Sequence, residues 1–537
     1  MREPETEPEG ASASGRLKKV SSRRNVTTTY VVAIGIVLVG FLTTPILTHQ
    51  LGIVRFGVWA LLGSLIPFLE ILELGFANAT VAFVSRHLEL EDDEAVAGTL
   101  NTSFLVLSVL GLLAFATVVV FAIFLPDIIT SIPKNLVGQA QFLLLLLAFD
   151  MALSIPMDTF GGALSAMQRF DLLNYTLIVV VVAQAVGWVV VLVVFHGGLI
   201  ALGVVTVAIS LMGQAARLIM VRRLLPWFHL SVRRFDRSIV RTYTTISGWY
   251  AIVQISDAVI GLADVLVVGA VAGVRPAAVY AVAQRLGRLP FSAVSPRIFV
   301  VFSQAGQLAA RDGLPALRGI TDDVLRFVQC LTIPAAIALG FLAGPALEVW
   351  VGPVYRDAAP IVGLLCLASV VQAWALGIRQ AINGAGRPAL SAVLYGTEAV
   401  FHVGLGIVLA SRYGALGMAE AVLITVVLME GALMLPLGYR MIGDSVLRPL
   451  LRTLRTVGLP VLVTGGLAWV LGRGGGPLYI FADTHGRLVG LIVVAAAGTA
   501  LIVVFYAVLL LTLPGEQRQQ LLSQFRTSLG RVAALLH

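Results

Sequence analysis

The sequence predicts an all-α polytopic membrane protein with about fourteen transmembrane helices. Three observations carry this reading. Of the 537 residues, 58% are hydrophobic and only 12% charged, where a soluble domain is about 25% charged. The apolar residues gather into runs of about 20, the length of helix that crosses about 30 Å of hydrocarbon. The runs also lack the period-two alternation of a spanning β-strand and are about twice as long as one, which excludes a barrel.

The runs can be taken in order. Six begin near Thr28, Gly57, Thr99, Gln141, Leu172 and Gly198. Six more begin near Thr245, Ala277, Val324, Ala359, Ala389 and Gly414, and a final two near Thr456 and Arg487. The opening stretch, 1–27, is acidic, then Gly/Ser-rich, then basic, and reads as a disordered tail. The run after it is too long for a signal-peptide core and is expected to stay as the first span.

The charges orient the spans. With the N-terminus inside, inner segments hold about 26 of the 37 Lys and Arg residues and outer ones about seven. The main inner clusters are GRLKKVSSRR, VRRLLPWFHLSVRRFDRSIVR and YRMIGDSVLRPLLRTLR. The expectation is a multi-pass protein of the cytoplasmic membrane with both termini in the cytoplasm. Past Gly515, Leu521, Phe525, Leu529, Val532 and Leu536 recur at helical spacing and predict a helix lying on the inner surface. The organisation expected is therefore a tail over 1–27, a six-helix repeat over 28–222 and a basic linker over 223–244. A second repeat follows over 245–440, then two further helices over 441–513 and an amphipathic tail over 514–537.

The repeat is visible in short matches. LGIVRFGVWAL (Leu51 to Leu61) answers AGVRPAAVYAV (Ala272 to Val282), with Gly52 on Gly273. SAMQRF (Ser165 to Phe170) answers NGAGRP (Asn383 to Pro388), and LIALG (Leu199 to Gly203) answers YGALG (Tyr413 to Gly417). The offset stays near 220 residues, about one six-helix unit. Six is even, so both copies are expected to face the same way across the bilayer, as parallel repeats.

Several stretches resemble the polysaccharide-export, or oligosaccharide-lipid, flippases of the superfamily that includes the MATE drug exporters. LGIVRFGVWALLGSLIPFLEILELGFANATVAFVSR resembles their first-to-second helix region, and LADVLVVGAVAG (Leu262 to Gly273) their seventh helix. GPVYRDAAPIVGLLCLASV resembles an outer loop running into helix ten, and AINGAGRPALSAVL the turn between helices ten and eleven. The resemblance covers roughly Thr28 to Arg440. It implies two six-helix bundles forming a V around a central cavity. It also implies alternating access that moves a polyprenyl-diphosphate-linked glycan from the inner to the outer leaflet. Membrane lipids, H+ or Na+, and a polysaccharide polymerase and glycosyltransferases are the other partners it brings. A drug antiporter of the same fold is the competing reading.

Charges inside the spans are the candidate site. An arginine at a helix centre costs about 2.5–3.5 kcal/mol on insertion scales and normally faces a cavity or a partner. Arg285 and Arg288 are three apart in the eighth span and so lie near one helix face. Guanidinium groups bind phosphate oxygens in bidentate fashion and remain charged. Arg285 and Arg288, with Arg379 of the tenth span, are the expected diphosphate clamp. Arg297 is expected to snorkel to the inner headgroups. The second span carries Glu70 and Glu73, and the seventh carries Asp257 and Asp264. These four acids are the expected ion-coupling or gating groups, with Asp264 the position that best matches the superfamily pattern. The repeats thus carry acid in one copy and base in the other at matching spans. Glu348, Glu420 and Glu430 read as structural.

The sequence carries no metal, cofactor or nucleic-acid motif. The two cysteines stand apart in apolar runs. The outer loops are short; the largest, RGGGPLYIFADTHGR, holds Asp483 and His485 and little else for sugar-transfer chemistry. A transporter is expected, with no catalytic residue.

Overall fold

The computed structural model of the chain describes residues 22–70, 76–231, 235–236, 248–473, 478, 486–513 and 518. The tail before Ser22, Glu73, most of the linker, Asp483 and His485, and the expected surface helix after Gly515 lie outside the described residues. Among those described there is helix throughout and no β-strand. In hydrocarbon an α-helix satisfies every backbone polar group within its own segment, so the long apolar runs fold this way.

The chain divides into two compact units. Unit 1 comprises 1–55 and 62–255, and unit 2 comprises 56–61 and 256–537. Unit 1 begins with α1 (Ser22–Glu70), a helix broken at Gly52, whose φ of 71° is left-handed. Next come α2 (Phe76–Glu89), α3 (Asp93–Ile128) and α4 (Lys134–Ala166). Then follow α5 (Phe170–Val189), which runs on into a π turn, and α6 (Leu199–Leu224). The side chain of Asp92 accepts from the Ala95 amide at 2.9 Å. With Asp93 and Glu94 in the first turn, this caps α3 and matches its dipole. The core of unit 1 pairs α3 with α4 and α4 with α6, and α2 lies against both α3 and α4.

Part of the expected linker is pinned onto α3. The Ser231 amide donates to Asn101 Oδ1 at 2.6 Å, and Asn101 Nδ2 donates to the carbonyls of Ala97 and His229. Asn101→Ala should cost about 1–3 kcal/mol in lost buried hydrogen bonding. The expected readout is faster hydrogen exchange at the Ser231 amide, by tenfold or more. Unchanged protection there would show that Asn101 does not hold the segment.

Unit 2 contains α7 (Gly248–Val271, from Ser256 onward), α8 (Val274–Gly287), α9 (Leu289–Asp312) and α10 (Leu317–Phe341). It continues with α11 (Ala343–Trp350), α12 (Ala359–Gly384) and α13 (Ala389–Thr425). The last leads through a π-helical stretch, Val426–Met434, into α14 (Leu435–Met441). Finally come α15 (Leu447–Gly472) and α16 (Arg487–Thr512). Helix α12 is the centre of the unit, packed by α8, α9, α10, α13 and the π stretch. Val294, Ile298 and Val301 of α9 interdigitate with Leu376, Ile378 and Ile382 of α12. Helices α15 and α16 pair with each other and lie on α10. The segment Phe56–Leu61 belongs to this unit: Gly57 abuts the Val274 carbonyl and Gly269 abuts Leu61.

Among the described residues, eleven helices are long and apolar enough to cross a membrane, against the fourteen expected. Three places account for the difference. The first and second expected spans form one helix across the Gly52 break, and the eleventh and twelfth form one across Gly414. The eighth is interrupted: α8 ends at Gly287, Arg288 caps it, and α9 restarts at Leu289. The cause is Pro290, which lacks an N–H and clashes with the carbonyl four residues back.

The matched sequence stretches fold to the same local turns. In unit 1 the left-handed residues are Gly52, Glu91, Gln168 and His196. In unit 2 Gly273, Gly313, Gly386 and Gly414 are left-handed, at offsets of 273 − 52 = 221, 313 − 91 = 222, 386 − 168 = 218 and 414 − 196 = 218. The bonds recur with them. Gln168 N donates to Ser165 O and Arg169 N to Leu164 O, as Gly386 N does to Asn383 O and Arg387 N to Ile382 O.

Candidate functional site

Two polar layers are buried in unit 2, and both rest on the spacing of α7 and α13. Asp257 and Asp264 are seven residues apart on α7 and share one stripe of it. Tyr395 and His402 are seven apart on α13, with Glu398 on the same face between them. Ile260 packs with Tyr395 and Ala399 between the layers. The equal steps mean that the two helices run in the same direction, with the layers about 10 Å apart along them.

The first layer centres on Asp264, which is 1% exposed. His402 Nε2 lies 2.8 Å from Asp264 Oδ1. The Tyr280 hydroxyl and Gln284 Nε2 each donate to Oδ2 at 2.8 Å. Arg288 Nη2 stands 3.9 Å from the same oxygen. Tyr280, Gln284 and Arg288 follow one another every four residues, so α8 and its cap present one polar stripe to α7. Taking a carboxylate out of water costs several kcal/mol unless hydrogen bonds and a countercharge replace the water. Here three donors and one guanidinium do so. Among the described residues, His402 Nδ1 has no hydrogen-bond partner.

The second layer holds three carboxylates and one cation. Arg379 Nη2 is 3.7 Å from Asp257 Oδ1, and its guanidinium lies 3.6 Å from the centre of the Tyr395 ring. The Tyr395 hydroxyl donates to Glu430 Oε1 at 2.9 Å. Glu398 completes the group; Glu430, Arg379 and Asp257 are all within electrostatic reach of it. Arg379, Glu398 and Glu430 are buried, whereas the Asp257 side chain is 60% exposed.

The expected site residues thus separate. Asp264 and Arg288 are brought together in the first layer, and Asp257 and Arg379 in the second. Arg285 is exposed in the last turn of α8, and Arg288 at the break keeps 38% of its side chain exposed. The two arginines lie at the end of a short helix rather than midway along a continuous span. Arg297 stacks over Phe327 at 4.9 Å. Glu70 ends α1, but its side chain lies outside the described residues. Glu348, read as structural, is 3.8 Å from Arg356. Tyr280, Gln284, His402, Tyr395 and Glu398 are members of these layers that residue types alone did not select. The four-residue recurrence on α8 and the seven-residue recurrence on α13 are the signals that point to them.

Comparison with known proteins places this architecture. Residues 26–360, more than half of the chain, match the family described as polysaccharide biosynthesis protein. The chain belongs to the polysaccharide biosynthesis protein family. Within this setting it is 21% identical over 318 residues to the uncharacterized membrane protein EpsK of Bacillus subtilis (strain 168). That match covers 59% of the chain and 63% of the relative, so the chain spans less than two thirds of that protein's length. The solved structure of the lipid II flippase MurJ, in an inward closed conformation, has a TM-score of 0.67 at 14% identity. It covers 90% of this chain and 98% of MurJ. An inward-facing MATE multidrug resistance transporter of the MOP superfamily has a TM-score of 0.65 at 14% identity. It covers 78% of this chain and 94% of that one. The polysaccharide biosynthesis family member therefore has the helical transporter fold that MurJ and the MATE proteins share.

Proposed function

We propose that the protein is a flippase. It carries a polyprenyl-diphosphate-linked oligosaccharide from the inner to the outer leaflet of the cytoplasmic membrane by alternating access, for assembly of a cell-envelope polysaccharide. One observation carries the reading: two arginines, Arg285 and Arg288, sit at the α8–α9 break, and the second is held beside a buried carboxylate, Asp264. A diphosphate presents oxygens in the geometry a guanidinium prefers, and its charge must be neutralised to cross hydrocarbon. Family membership and the shared transporter fold support the same reading. In this scheme Glu70, Glu73, Asp257 and Asp264 gate the protein or couple it to H+ or Na+, and Arg379 neutralises the second layer. Both termini face the cytoplasm, where a glycosyltransferase supplies the lipid-linked glycan; a polymerase consumes it on the far side.

The test is translocation of a fluorescent polyprenyl-diphosphate glycan in proteoliposomes. Charge-assisted hydrogen bonds are worth about 1.5–3 kcal/mol each. Arg285→Gln with Arg288→Gln is therefore expected to slow translocation about 100-fold or more, with the protein still folded. Unchanged movement would sink the clamp. The likeness to the MATE fold keeps a cation- or proton-coupled drug antiporter as a second reading; it predicts gradient-driven dye uptake in the same vesicles and no glycan movement.

A further inference from the structure

We infer that Glu398 is a proton-binding site: it holds a proton in the folded protein and is a group in unit 2 through which one proton can be taken up or released. The chemistry follows from the second layer. The charged groups near Glu398 come from three other elements, Asp257 of α7, Arg379 of α12 and Glu430 of the π stretch, and Tyr395, three residues before it, shares its face of α13. Three carboxylates therefore share one guanidinium. Two of them are provided for. Asp257 is half in solvent and pairs with Arg379. Glu430 accepts the Tyr395 hydroxyl. Glu398 is 1% exposed, and its Oε1 is fully buried with no hydrogen-bond partner.

The layer has three carboxyl groups and one guanidinium, so three ionised carboxylates would leave two negative charges that Arg379 does not neutralise. Placing uncompensated charge in the protein interior costs several kcal/mol. The neutral acid avoids this. It also adds an O–H donor to the layer beside the Tyr395 hydroxyl and the Arg379 guanidinium, while among the described residues Glu430 Oε2 is also buried and without a partner. The proton is held as the carboxylic acid and leaves as H+, the carboxylate remaining; exposed Asp257 marks the side from which water reaches the layer. A second observation points to the same place independently. Glu430 lies in a nine-residue π-helix, Val426–Met434, a geometry that is rare and concentrates at functional sites.

Glu398 was not among the acids assigned to coupling above. Its use in driving transport rests on the flippase reading, but proton binding itself does not. The experiment is infrared spectroscopy of the full chain in nanodiscs at pH 7. The expected result is a protonated-carboxyl C=O band in the wild type that is missing in Glu398→Gln. The amide mimics the neutral acid, so that variant is expected to fold with an unchanged Tm. If the band survives in Glu398→Gln, or is absent from the wild type, the assignment is overturned; should that variant fail to fold, Glu398→Asp is expected to shift the band, and an unshifted band overturns the assignment. A band that sodium abolishes at constant pH also overturns it, in favour of a metal cation. A band that behaves as expected in vesicles that move no glycan leaves the site standing and removes only the flippase reading.

Discussion

Asp264→Leu is expected to destabilise unit 2 by about 3–5 kcal/mol, the cost of removing one partner from a buried charged network. Leucine would leave the Tyr280 hydroxyl, Gln284 Nε2 and His402 Nε2 without their acceptor and Arg288 without its countercharge. Three elements meet on this one side chain, so the loss is not local. Asp264→Asn keeps one acceptor oxygen and the shape, and is expected to lose roughly half as much. Thermal unfolding of the detergent-purified variants, followed by light scattering, measures both. A leucine variant as stable as the wild type would mean that the layer forms without its acid.

In unit 1 the largest effect is expected at Phe160. Its ring is fully buried in α4, 5.8 Å from the Phe104 ring and 6.3 Å edge-on from Phe228. Val96 and Leu100 of α3 and Val221 of α6 close the same cluster. Phe160→Ala should cost about 3–5 kcal/mol through lost burial and the cavity left behind. Phe160→Leu refills most of that volume and should recover more than half of the loss. If both variants unfold together, the ring contacts rather than the volume hold the cluster. If neither moves, the cluster is not part of the cooperative core.

Much of this architecture was legible in the sequence, because bilayer thickness imposes length and polarity on each span. The apolar runs marked the helices, and Gly52, Gly273, Ser165 to Phe170 and Asn383 to Pro388 marked turns that recur in the structure. Asp264 stood out because an acid in an apolar run needs a reason. The break at Arg288 was signalled by Pro290, but a window of about 20 residues averages over such a stop. The layers were harder to see. His402 meets Asp264 across 138 residues of chain, and no local pattern encodes that pairing. Glu398 and Glu430 looked like single acids in long helices; only packing reveals that they share Arg379 with Asp257. Tyr280 and Gln284 were visible only as a four-residue stripe leading to Arg288.

The six residues Phe56–Leu61 have a genetic consequence. They are encoded within the first quarter of the chain yet are part of unit 2, where Gly57 meets Val274 and Leu61 meets Gly269. A gene cut after Ile255 would not yield two self-sufficient products, because the later fragment would lack a piece of its own interior. During synthesis this short stretch waits, already translated, for about 200 residues before its neighbours emerge.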